Sequence, residues 1–428
     1  MRFFTILFRF FYLFSLTLVI CTATLSSLSC QPKGEAEPNQ PKPLPVLRSD
    51  YETYHEFKIA LNAVCSYPNA NTRADLLNHF WDTLKLKGQI PFRLGDSVAL
   101  MYRGQATQVR WAGDFNSWSG VALGYLGTRQ GDTDLYLCEQ VYPSDARLDY
   151  KIVVDGSWIL DPANPFQQMS GFGPNSELRM PNWQQDVYTL EQTALPKGTL
   201  SSNQLILSVT TNLGYTVAYR AYTPSGFNQG DTLPVLYMTD GHEYAHQQQG
   251  AMVTVLDNLI HQQKIQRLIV VFIDPRVPPS GTNRRFTEYI RNPKFLSFVA
   301  DELVPQIDSL YHTRRSASHR GIGGTSLGGW NAAYFGLNRS DVFGKLLVHS
   351  PAFDAQMAVD YQQATQLPLK IFMSTGAIND TQVRARQMRD VMQAKGYPLR
   401  YIEVNQGHSW GNWRALLNEP LEYLFPFQ

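Results

Sequence analysis

Gly323-Gly324-Thr325-Ser326-Leu327-Gly328-Gly329-Trp330 decides how the second half of the chain is read. The run before it, Ser318-His319-Arg320-Gly321-Ile322, reads as the end of a short strand, and Asn331-Ala332-Ala333-Tyr334-Phe335 reads as the start of a helix. A strand, a tight turn and a helix thus follow without a spacer. Gly324-x-Ser326-x-Gly328 has the spacing of a nucleophile elbow, in which glycines let the backbone turn sharply while the serine points out above the sheet. At the head of a helix, free N–H groups and the helix dipole favour a developing negative charge beside Ser326. On its own the pentapeptide reads equally well as a glycine-rich turn carrying a surface serine.

Short apolar runs surround this turn at 204–209, 216–222, 234–239, 268–273, 320–324, 345–349, 369–374 and 400–404. From 234 onward they alternate with helical runs such as 254–262 and 296–310. That alternation predicts an α/β fold with a mostly parallel sheet covered by helices on both faces. The first two runs, joined by a turn at Asn212-Leu213-Gly214, are expected as an antiparallel edge. An α/β-hydrolase domain over 203–428 is built in this way.

A serine hydroxyl is a weak nucleophile at neutral pH and needs a base in reach, with a third group to hold that base. In this fold class the order along the chain is serine, acid, histidine. Gln406-Gly407-His408-Ser409-Trp410 follows the last predicted strand, which makes His408 the base. Asp380, after the run 369–374 and ahead of a helix, is favoured as the acid, with Asp354 as its rival and helix capping as its ordinary alternative. The oxyanion would be met by the amide of Leu327 and by a second amide, from Gly241 or His242, after the run 234–239.

The same loop carries His242-Glu243-Tyr244-Ala245-His246, the H-E-x-x-H spacing. On a helix this pattern sets two histidines on one face to hold zinc, with the glutamate as base. Here Gly241 precedes it, Gly250 follows closely, and no third ligand stands nearby. The serine reading needs no cofactor. Trp330, Tyr289 and Trp410 are candidates for an acyl pocket, Trp413 is expected in the core, and Arg284 and Arg285 are either substrate contacts or solvated arginines.

The chain has 428 residues, more than one core usually serves, so two domains are expected. Its net charge of +1, from 37 basic and 36 acidic residues, gives no electrostatic reason to expect nucleic acid or an anionic membrane surface. Residues 1–30 have the layout of an export signal: Arg2 and Arg9, the apolar run 10–21, then Ser26-Ser27-Leu28-Ser29 before Cys30. The proline-rich stretch 31–49 reads as a solvated tether. Small residues ahead of Cys30 resemble a bacterial lipoprotein signal that would lipidate Cys30, although Ser27 stands where such signals usually carry leucine; an ordinary cleavage site is the alternative. Cys65 and Cys138 are left to pair or to stay as buried thiols.

Between the tether and the α/β half, a helical segment spans 50–94, with Leu76, Leu77, Phe80, Trp81 and Leu84 on one helical face over 72–84. Runs at 97–102, 108–111 and 148–154, joined by Asn/Asp/Gly/Pro turns, predict a small β-sandwich over 95–183, and 184–202 reads as a connector. The motifs GDFNSW (113–118) and YKIVVDGSWILDPANP (150–165) resemble early-set, immunoglobulin-like glycogen-binding modules, as in the AMP-activated kinase β subunit and family 48 carbohydrate-binding modules. That likeness implies that Trp118 and Trp158 stack on sugar rings or pack against the next domain. PVLYMTDG (234–241), RRFTEY (284–289), FVADELVPQIDSLY (298–311), GIGGTSLGGWNAAYFGL (321–337) and GHSWGNWR (407–414) together resemble the esterase D and enterochelin esterase family, and carbohydrate esterase family 1 feruloyl esterases. The resemblance implies an ester hydrolase with Ser326, Asp380 and His408 as its triad. GHSW stands where GHDW is commoner. A siderophore ester and an acylated polysaccharide both fit as substrates; a carbohydrate-binding lipoprotein with an inactive hydrolase domain is the reading from another class. Oligomeric state is not legible.

Overall fold

The computed structural model describes residues 43–48, 50–208 and 213–427. The signal region, Cys30, most of the tether and Asn212 of the expected edge turn lie outside the described residues. Pro45–Gln428 forms one compact unit, within which a helical and two-sheet first half meets a nine-stranded second half.

Two helices open the first half. Tyr54–Cys65 is capped by the Thr53 hydroxyl and Ala70–Leu86 by the Asn69 side chain, each accepting from a free amide of the first turn. Their apolar faces, Phe57, Leu61 and Val64 on one and Leu77, Phe80 and Leu84 on the other, share a core with Phe92, Ala99 and Met101. Two antiparallel sheets follow. One is built on Ser97–Arg103 and Leu135–Val141, the other on Val109–Gly113, Arg147–Val154 and Gly173–Arg179. Val98 and Leu100 from the first sheet meet Trp111, Leu148, Tyr150 and Ile152 from the second in a common core. In the strand Arg147–Val154 the alternation has an outcome that the pattern alone does not announce. Leu148, Tyr150 and Ile152 fill that core, yet Arg147 and Asp149 on the opposite face are also buried.

In the second half, Gln204–Leu207 and Thr199–Leu200 pair antiparallel with Thr216–Thr223, which pairs antiparallel with Ile269–Asp274. Six strands then run parallel in the order Ile269–Asp274, Val235–Met238, Arg320–Thr325, Lys345–His349, Lys370–Gly376 and Leu399–Val404. These are continuous apolar runs because both faces are covered. Ile269, Val271 and Ile273 face one layer with Leu303, Ile307 and Phe335, while Val270 and Phe272 face the other with Val255, Leu256 and Leu259. Each such residue, fully buried, contributes about 1.5–3 kcal/mol. The expected helix over 296–310 is three consecutive segments, Pro293–Ser297, a wide π turn Phe298–Leu303 and Val304–Tyr311; Pro305, which has no N–H to give, sits just after the wide turn. Cys65 and Cys138 are both free and buried, so no disulfide joins them, and burial pushes the Cys65 thiol up to about 11.

Candidate active site

Ser326 sits between the strand Arg320–Thr325 and the helix Leu327–Asn338 with φ 58° and ψ −118°. Non-glycine residues avoid this region, at a cost of about 1–3 kcal/mol, and the neighbours hold it there. The Ser326 amide donates to the His349 carbonyl at 3.0 Å, and the Ser326 carbonyl accepts from Ala352 and Trp330. Both flanking glycines are required by close approach. A Cβ on Gly324 would lie 2.2 Å from the Thr239 hydroxyl, and one on Gly328 would lie 2.5 Å from the same oxygen. The loop after Val235–Met238 therefore presses directly onto the elbow.

His408 reaches Ser326 from the loop after Leu399–Val404. Its Nε2 lies 2.9 Å from Ser326 Oγ, and its Nδ1 lies 2.6 Å from Asp380 Oδ1. A carboxylate only accepts, so Nδ1 carries the proton and Nε2 offers its lone pair to the serine hydroxyl. Burial, the largest influence on Asp380, pushes its carboxyl up; the His408 bond and charge, the Ser350 hydroxyl and the Gly376 amide outweigh it and hold the carboxyl below its ordinary value. Asp380 Oδ2 accepts from Ser350 Oγ at 2.6 Å and from the Gly376 amide at 2.5 Å. Ser350 in turn accepts from the Trp413 indole at 2.9 Å. Such a line of acid, imidazole and hydroxyl can move the serine proton onto the ring and return it to a leaving alcohol.

Asp354 is elsewhere. Its carboxylate caps the helix Ala355–Gln363, accepting from Met357 at 2.8 Å. Gly241, His242 and Leu327 are first residues of their helices, so their amides have no acceptor within the helix and remain available as donors.

Two of the expected pocket residues are not in the pocket. Trp330 is 2% exposed and stacks on Tyr334 at 5.5 Å, because the helix turns that position toward the sheet. Tyr289 is 0% exposed, and its hydroxyl accepts from the Asp240 amide at 2.9 Å. Arg285 is turned to the same acid, with Nε and Nη2 at 3.1 and 2.9 Å from Asp240, yet it still borders the cleft. Arg284 lies over the Tyr215 ring. Trp410 lines the cleft as expected, and so does Trp413, which is buried edge-on against His408 as well as bonded to Ser350. Ser350, which the sequence reading missed, offers no motif: its position shows only once the strand Lys345–His349 is seen to end beside Asp380.

The H-E-x-x-H stretch does not form a helical face. The helix Gly241–Tyr244 stops before His246, which is exposed, and the His242 ring faces Asp274 at 3.5 Å and Glu243 at 3.9 Å. Among the described residues no group of three or more His, Cys, Asp and Glu is gathered as a metal site. Glu243 instead forms part of the cleft wall, its carboxyl pushed up to about 7 by burial and by Asp240, against the opposing pull of Arg285, Trp410 and Gln249.

The cleft has a volume of about 560 Å³ and is shared by both halves of the chain. Ser326, His408, Trp410 and Arg285 come from the second half, and Trp118, Trp158, Phe172 and Lys151 from the first. Trp158 is 47% exposed and Phe172 99% exposed.

Residues 210–424 match the esterase family model, described as "Putative esterase". The chain belongs to the esterase family. It is a carboxylic ester hydrolase. The esterase is 26% identical over 291 residues to an endo-1,4-beta-xylanase/feruloyl esterase of Xylanibacter ruminicola, covering 64% of this chain and 38% of that one. It is 26% identical over 214 residues to the iron(III) enterobactin esterase of Escherichia coli K12, covering 46% of this chain and 51% of that one. The crystal structure of the ferric enterobactin esterase of Salmonella typhimurium shares the fold, with TM-score 0.62 and 20% identity over 77% of this chain and 93% of that one.

Proposed function

We propose that this esterase works through Ser326, His408 and Asp380. Ser326 Oγ attacks an ester carbonyl as His408 Nε2 takes its proton; the imidazolium, held by Asp380, then protonates the leaving alcohol. Water enters by the same route and frees the acid from the acyl-enzyme. The amides of Leu327 and of Gly241 or His242 meet the oxyanion. The observation that carries this reading is the unbroken relay from Asp380 through His408 to Ser326, open to a cleft large enough for a substrate. That relay also weighs against a sugar-binding lipoprotein with an inactive hydrolase half.

For substrate, the cleft favours an acylated polysaccharide over an iron-loaded catechol siderophore. Trp118, Trp158 and Phe172 offer flat faces suited to a sugar or an aromatic acyl group. An anionic iron complex calls for a basic cleft, whereas the only lysine and arginine lining this one are Lys151 and Arg285, and Arg285 is already paired with Asp240. The facing sheets over 95–183 fit an early-set, glycogen-binding-like sandwich, and the N-terminal sequence fits export with a lipid anchor at Cys30. Among the described residues no helix is long and apolar enough to cross a membrane.

The test is hydrolysis of p-nitrophenyl acetate, methyl ferulate and a catechoyl-serine ester by the full chain, with a fluorophosphonate, with a chelator and as Ser326→Ala. Loss with the fluorophosphonate and with the variant, but not with the chelator, is expected. Loss with the chelator alone would move the chemistry to the His242 loop. A preference for the catechoyl ester would overturn the polysaccharide assignment.

A further inference from the structure

The first half of the chain does more than wall the cleft: it grips the histidine loop on both sides of His408. Arg147, in the strand Arg147–Val154, has no exposed surface. Its Nε donates to Glu177 at 2.5 Å and its Nη2 to Asp149 at 2.5 Å, while Nη1 crosses to the second half and donates to Ser409 Oγ at 3.1 Å. The Arg147 amide donates to the Asn405 carbonyl at 3.2 Å, and Arg147 bridges to Gln406 in parallel. A Cβ on Gly411 would lie 1.8 Å from Arg147 Cζ, so the guanidinium rests on the first turn of the helix Trp410–Ala415.

Asp114 works beside it. Its side chain fills the space over Gly407, where a Cβ would lie 2.2 Å from Asp114 Cβ. Its carbonyl accepts from Asn379, the residue before Asp380, at 3.1 Å. Residues 405, 406, 407, 409 and 411 are thus all seated on the first half, and the His408 ring between them faces Ser326.

We propose that Arg147 is a positioning residue of the esterase, acting through Ser409 and Gly411 to fix the His408 ring against Ser326. The inference rests on the Ser326, His408 and Asp380 reading. The guanidinium suits this task because its planar fork satisfies two buried carboxylates and still has a donor for a third partner. Once paired on two sides it has little freedom to rotate, so Ser409 is held by a fixed group. The sandwich half is then part of the catalytic framework and not a detachable module. A misplacement of about 1 Å in a reacting group is enough to cost roughly 100-fold in rate.

The experiment compares full-length wild type with Ser409→Ala, Arg147→Lys and Arg147→Met. Two quantities are read: the rate constant and amplitude of fluorophosphonate labelling, and kcat and KM for p-nitrophenyl acetate. In Ser409→Ala the guanidinium keeps both carboxylates and loses only its bond to the loop. Its labelling rate and kcat are expected to fall about 3- to 10-fold, with full amplitude and KM within about twofold. Arg147→Met is expected to fall roughly 100-fold, and Arg147→Lys to recover part of that loss. Loss of folded protein would lower amplitude and leave the rate constant alone. Should Arg147→Met fail to fold, Ser409→Ala and Arg147→Lys decide. Wild-type rate constants in both of these would overturn the proposal, whereas a wild type that never labels would overturn the Ser326 reading instead.

Discussion

The Trp413 indole N–H donates to the Ser350 hydroxyl, and that hydroxyl donates to Asp380 Oδ2, so a buried tryptophan is coupled through one serine to the acid that orients His408. A hydrogen bond to a charged group contributes about 1.5–3 kcal/mol. With part of that expressed in the barrier, Ser350→Ala and Trp413→Phe should each lower kcat about tenfold, with KM little changed. Because the two substitutions break one chain, the double variant should be little worse than the poorer single one; additive losses would contradict the coupling.

Asp380 and Asp354 should separate cleanly. Asp380→Asn leaves the shape of the site but removes the charge that fixes the His408 tautomer, and about a 10⁴-fold fall in kcat is expected. Asp354→Ala removes a helix cap, with a cost of about 1 kcal/mol in stability and no change in kcat. Steady-state kinetics and urea midpoints on the two variants check both halves of this statement.

Stability should fall as pH rises through the acid-to-neutral range. Glu288 is pushed up to about 7, by burial first and then by Asp240 and Asp274, against the Tyr215 bond and Arg284. A raised carboxyl means that the folded chain holds this proton more tightly than the unfolded one, so the unfolded state binds fewer protons between roughly pH 4.5 and 7 and stability declines across that window. Glu288→Gln keeps the acceptor for Tyr215 and removes the titration. Relative to wild type it should gain about 1–3 kcal/mol between pH 5 and 8 in urea unfolding, while parallel curves would count against it.

Gly328→Ala should destabilise the elbow by about 1–3 kcal/mol, since its Cβ runs into the Thr239 hydroxyl. Thr239→Ala in the same chain removes that atom, and partial recovery of melting temperature is expected. Gly324→Ala, whose Cβ also meets the Gly328 backbone at 2.7 Å, should not be rescued in this way.

Removing the aromatic mouth should be felt by large substrates alone. Trp158→Ala and Phe172→Ala are expected to raise KM several-fold, about 1 kcal/mol each, for a feruloylated oligosaccharide and to leave p-nitrophenyl acetate unchanged. An equal effect on both substrates would place these side chains in the framework.

What could be read from the sequence, and what could not, divides along physical lines. Ser326, Asp380 and His408 were legible because each follows a strand that the apolar runs mark, and the geometry brings all three together. Trp330 and Tyr289 were misplaced because an aromatic next to a motif carries no information about which way its helix is turned; both face inward. The alternation across 148–154 marks the strand without showing that Arg147 and Asp149, on its other face, are buried. A period of two distinguishes the faces of a sheet, and it cannot tell solvent from another part of the same chain. Ser350 has no local signature, since its partners Asp380 and Trp413 are distant in the chain; Asp240 sits in a quoted motif, but its pairing with Arg285 and Tyr289 shows only in the fold.

The grip of Arg147 and Asp114 on residues 405–411 also ties turnover to the folding of the first half. The elbow is held by its own half, through Thr239, His349 and Ala352, whereas the histidine loop also needs the first half in place over Gly407 and Gly411. Turnover in a refolding experiment should therefore return no sooner than the first half is seated on residues 405–411.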